Sequence, residues 1–150
     1  MRARALATVL ALSLVCAGVA EASSAAVTQV RAVYRTVLNA EYFGTASGEC
    51  SHMTAAAVKS FTAGGGGTCQ HVFAEQQYGL RHKIKDVDDS GYTAAQWRSV
   101  VTSVMAHLKV SVHGSRATAI GGESGIPGKT TLVELNGKWL FNSYPPSIQS

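Results

Sequence analysis

The chain has 150 residues, of which 46% are hydrophobic and only 15% charged, with a formal net charge of +4. Soluble domains usually carry about 25% charged residues, and this length holds one domain rather than several. A multidomain enzyme, a long disordered chain and a collagen-like repeat are excluded. The mild charge, without any lysine–arginine block, argues against nucleic acid as a partner.

The apolar excess begins at the N-terminus. Arg2 and Arg4 form a short basic region, Leu6 to Val15 is almost wholly apolar, and small residues follow up to Ala20-Glu21-Ala22. This is the three-part pattern of a secretory signal peptide, with cleavage expected after Ala22. The apolar run falls short of the roughly 20 residues that span a bilayer. No transmembrane span is therefore expected after cleavage. Val15 stands where acylation of Cys16 as a lipoprotein would ask for a small residue, and the separated arginines favour the Sec route over the twin-arginine one. The expected organisation is a cleaved leader over 1–22 and a single domain over 23–150, secreted or held in the cell envelope. Cleavage removes two arginines and one glutamate, so the net charge falls from +4 to +3. Cys16 leaves with the leader, and Cys50 and Cys69 remain as one possible pair. Export favours the disulfide; unpaired thiols and a zinc site are the weaker alternatives.

Val27, Val30, Val33, Tyr34, Val37 and Leu38 recur at helical spacing and predict a first helix over 25–42, with Arg31 and Arg35 on another face. Thr54 is positioned to cap a second helix facing Ala57, Val58 and Phe61 inward, ended by the run Gly64 to Gly67. Thr68 caps a third through Val72, Phe73 and Leu80. Thr93 with Gln96 forms a capping box that opens a fourth, whose apolar positions are Trp97, Val100, Val101, Val104, Met105 and Leu108. The period then changes to two. Leu108, Val110 and Val112 alternate with polar residues, a turn follows at Gly114, and Ala117 to Ile120 is a second strand. Thr131 to Leu135 and Lys138 to Ser143 flank Asn136-Gly137, the strongest short hairpin signal. Helices followed by strands predict an α+β domain: amphipathic helices packed on a curved antiparallel sheet of three to four strands.

Three stretches give this layout a resemblance to the nuclear transport factor 2-like superfamily of cone-shaped, cystatin-like α+β folds, which includes ketosteroid-isomerase-like enzymes. They are the helix and corner VRAVYRTVLNAEYFGTASGEC, the hairpin TTLVELNGKWLFNS, and the spacing of Cys50 and Cys69 about a glycine-rich loop, which is similar to small exported actinobacterial members. Relatives often place a hairpin where this chain has Gly64 to Gly67. The resemblance implies a pocket open at one end, and the side chains expected to line it are Tyr34, Leu38, Phe61, Phe73, Trp97 and Trp139. It also implies that a small apolar ligand, an envelope protein or a second copy could be the partner.

Catalytic signatures are weak. Family isomerases use a carboxylate base and a tyrosine or acidic donor; the sequence offers Tyr34 on the first helix, with Glu41 at that helix's end, and no evident buried base. Glu134 lies on the opposite strand face from Val133 and Leu135 and is expected to point outward into solvent; turned inward it would be a base. Asp86, Asp88 and Asp89 begin a calcium-loop pattern that fails at its ninth and twelfth positions, Ala94 and Trp97. Gly128-Lys129-Thr130 leads into a strand rather than the helix that a phosphate loop requires. His71 and Glu75 form a surface i,i+4 pair with no third metal ligand. No metal, cofactor or catalytic residue is assigned. The expectation is an exported, non-catalytic binding domain, with a small isomerase- or dehydratase-like enzyme as the alternative.

Overall fold

Threonine opens most of the helices. In the computed structural model, which describes residues 6–63, 66–82, 91–121 and 128–143, with side chains from residue 24 onward, the first helix, α1, runs Leu6–Phe43. Thr45, Thr54, Thr68 and Thr93 then cap α2 (Ala46–Cys50), α3 (Ala55–Thr62), α4 (Cys69–Arg81) and α5 (Ala94–His107). Each threonine oxygen accepts from a backbone N–H three residues on, which satisfies one donor that the helix itself leaves unpaired. The Thr93–Gln96 capping box is complete, with the Thr93 N–H donating to Gln96 Oε1 at 2.8 Å.

Two helical expectations change. The first helix does not begin near residue 25 but continues back to Leu6. Residues 1–22 are rich in alanine and leucine, both strong helix formers, and hold no proline. The corner after it contains α2, whose five residues are too few to show a hydrophobic period.

Four strands follow: β1 (Lys109–His113), β2 (Arg116–Gly121), β3 (Gly128–Leu135) and β4 (Lys138–Phe141). They pair antiparallel in chain order as one open sheet. The β3–β4 turn is built as its sequence demands, with Asn136 at φ 52° and Gly137 at φ 73°. A turn with both central residues left-handed matches the twist of the flanking strands. The segment before α3 adds to the free side of β4: Phe141 N–H donates to His52 O, and Thr54 N–H to Phe141 O, both at 2.8 Å. That leaves fewer unpaired groups on this edge.

Strand alternation divides the sheet. The inner face carries Val110, Val112, Ala117, Ala119, Thr130, Leu132, Trp139 and Phe141, most of them buried. Val30, Tyr34 and Val37 of α1 and Trp97, Val101, Val104 and Met105 of α5 complete the core against it. Glu134 differs from its expected outward position. It pairs with Trp139 across the hairpin, shares the inner face with Leu132, and is half-buried at the rim. Val133 and Leu135 take the outer face instead, and Leu135 is 50% exposed. The run Thr131 to Leu135 fits either phase, and packing of Thr130 and Leu132 under the helices selects this one.

Side chains also fasten helix to helix. Arg31 of α1 donates to the carbonyls of Met105 (2.5 Å) and Leu108 (2.6 Å) at the end of α5. Trp97 Nε1 donates to Leu38 O at 2.9 Å, and Gln77 Nε2 reaches Gly44 O at 3.1 Å beyond the end of α1. A cation at a helix C-terminus meets both the orphan carbonyls and the negative end of the dipole.

Candidate functional site

Five of the six side chains expected to line a pocket lie together. Tyr34, Trp97 and Trp139 are buried in one apolar cluster, with Leu38 and Phe61 packed against it. Phe73 is fully buried on α4. Trp97 stacks on Tyr42 at 6.0 Å and meets Tyr92 edge-on at 5.6 Å. Trp139 Nε1 donates to Gln29 Oε1 at 3.3 Å. Tyr34 lies 5.5 Å from the Phe141 ring. Its hydroxyl approaches the sheet at Gly121, where a Cβ would fall 3.6 Å from it and 2.8 Å from a Leu108 methyl.

Burial pushes the Tyr34 phenol above the ordinary tyrosine range. The nearby Thr130 hydroxyl opposes this, and the negative charge of Glu41 adds to it. Thr130 Oγ1 makes no hydrogen bond of ordinary geometry among the described residues. Desolvation disfavours the phenolate. Tyr34 is therefore a protonated hydroxyl at neutral pH, able to donate a hydrogen bond and unable to act as a base.

The expected disulfide is present: Cys50, the last residue of α2, is bonded to Cys69, the first of α4. Structural disulfides persist in oxidising compartments, so the bond suggests an oxidising, extracytoplasmic environment. Sequence reasoning passed over Glu49, which is fully buried on α2. Its sole sequence signal is an acidic residue near a helix start.

An open groove of about 540 Å³ lies between α1 and α5. Arg35 and Asn39 line one wall, one helical turn apart, and Arg98 and Thr102 line the other at the same spacing. Val101 and Met105 form the buried floor. The Arg98 guanidinium lies 4.9 Å from the centre of the Phe43 ring, in cation–π range. Among the described residues no carboxylate lines the groove. Two guanidiniums over an apolar floor suit an acid group carried on a hydrocarbon body. The 3.6 period puts each polar pair on one helix face, but which faces meet is a tertiary fact.

Other motifs settle simply. His71 Nε2 lies 3.3 Å from Glu75 Oε1, with both side chains exposed, as a surface pair. Gly128-Lys129-Thr130 begins β3 rather than a helix. Among the described residues no cluster of three metal-ligating side chains occurs, and no helix is long and apolar enough to cross a membrane. The aspartates at 86, 88 and 89 lie outside the described residues. These features define an α+β domain of helices followed by an open antiparallel sheet, fastened by one disulfide. Comparison with known protein families, with curated proteins and with solved structures finds no match in any of the three.

Proposed function

We propose that this protein is an exported, non-catalytic module that binds a small ligand with an anionic head and an apolar body in the groove between α1 and α5. The observation that carries this reading is that Arg35 and Arg98 line the groove together with Val101 and Met105, with no carboxylate beside them among the described residues. Residues 1–22 act as a cleaved leader, and residues 23–150 form one domain of the nuclear transport factor 2-like kind. The kinship rests on the sequence resemblance, and the disulfide supports export.

A fluorescent fatty acid and its uncharged alcohol counterpart test the groove. Charge-assisted hydrogen bonds contribute about 1.5–3 kcal/mol each, so Arg35→Ala with Arg98→Ala should weaken the acid at least about tenfold and leave the alcohol unchanged. Equal binding of both probes by the wild type defeats the reading. Export predicts Ser23 as the first residue of the protein recovered outside the cytoplasm; an intact Met1 there counts against the leader.

A second reading, a small isomerase- or dehydratase-like activity, is favoured by one observation, the buried protonated phenol of Tyr34. It requires a base within reach of the same substrate atom. Turnover of a ketosteroid or hydroxy-acyl substrate that is lost in Tyr34→Phe would support it; no turnover by the wild type removes it.

A further inference from the structure

The outer sheet face is written in rows fixed by strand register. In one row Ile120 of β2 stands between Lys109 of β1 and Lys129 of β3. In another, Arg116 of β2 is followed by Val133 of β3 and Leu140 of β4. At the hairpin end Leu135 stands opposite Lys138. Ile120 is 51% exposed and Leu135 50%, and all four cations are exposed. No carboxylate occupies this face among the described residues, because Glu134 alternates to the inner side. Four positive charges therefore stand on one face of a chain whose entire net charge is +4.

We infer that this face docks on the surface of an anionic lipid bilayer. The flanking lysines are spaced about 10 Å apart, two inter-strand steps, with the isoleucine between them. Headgroup phosphates meet the ammonium groups while Ile120 and Leu135 enter the acyl boundary. Lysine stems are long enough to let the charge stay at headgroup level. A second copy of the chain packed face to face would bring four cations against four. A soluble polyanion would use the cations and leave the two exposed aliphatic groups in water. The surface shares no residue with the groove, so it stands or falls separately from ligand binding.

Sedimentation with vesicles of phosphatidylcholine alone, or mixed in equal parts with phosphatidylglycerol, tests the inference. The protein should bind the mixed vesicles, release them as salt rises, and ignore phosphatidylcholine alone. Each lysine near an anionic surface contributes about fivefold in affinity. The double variant Lys109→Gln, Lys129→Gln should therefore lose about 30-fold, and Arg116→Gln with Lys138→Gln should behave alike if the first pair folds poorly. Ile120→Ser with Leu135→Ser should weaken the binding that survives at high salt. All variants keep the same N-terminus, so differences among them report the sheet and not the leader. Equal binding to both vesicle types, or indifference to both lysine variants, overturns the inference. Tighter binding to poly-glutamate than to mixed vesicles, insensitive to Ile120→Ser and Leu135→Ser, overturns it in favour of a soluble acidic partner.

Discussion

The two faces of one sheet obey opposite rules although they share every strand. Along β3, Thr130 and Leu132 are fully buried under the helices, whereas Lys129 and Leu135 stand in solvent. On the inner face a Cβ at Gly121 would fall 2.8 Å from a Leu108 methyl, which would have to shift, and in ordinary contact with the Tyr34 hydroxyl at 3.6 Å. The outer face alternates lysine with isoleucine or leucine and packs on no described helix. Close packing makes inner positions sensitive to single atoms, while outer positions are free to serve contact. One residue of register thus separates positions locked in the core from positions left in solvent.

Substitutions can break or sharpen that contrast. Trp139→Ala, on the inner face, should cost about 3–5 kcal/mol in urea unfolding. A loss as small as that of an outer substitution would erase the distinction between faces. Cys50→Ala with Cys69→Ala should cost about 3 kcal/mol for a loop of this length, read as a shift in the same midpoint; no shift between oxidised and reduced wild type would contradict it. Gly137→Ala, at the turn where the faces meet, forces a side chain into φ 73° and should cost about 1–2 kcal/mol. Ile120→Thr and Leu135→Thr should each stay within about 0.5 kcal/mol, although both remove an apolar side chain.

Tyr34 adds a pH dependence to the inner face. Its folded pKa is raised, so the folded state holds the phenol proton longer than the unfolded chain does. The unfolded state then binds fewer protons over that range, and stability falls as pH rises. Stability should be complete below about pH 10, the unfolded tyrosine value, and decline above it. Tyr34→Phe should flatten that decline in urea midpoints measured across the alkaline range; identical slopes would place the phenol in water.

Much of the fold was legible because caps and periods are local. Thr54, Thr68 and Thr93 announced their helices, Asn136-Gly137 announced the hairpin, and the change of period near Leu108 separated helices from strands. The short α2 escaped because a cap without a following period is a weak signal. Glu134 was assigned the wrong side because Val133 and Leu135 are as apolar as Leu132, and alternation alone does not say which phase faces the helices. Tyr34, Trp97 and Trp139, expected to line a pocket, lie in the buried core, and the open groove is lined by Arg35, Asn39, Arg98 and Thr102 with Val101 and Met105.

The amino-acid sequence by itself determined the class of fold, the positions of the helix caps and the tight turn, and the pair of cysteines available for a bond. These depend on backbone preferences within a few residues. Only the tertiary structure decided which sheet face is covered, which helix faces meet over the groove, and that Arg31 closes the end of α5. Such outcomes depend on competition for burial among segments far apart in the chain, and no local pattern records which segment wins.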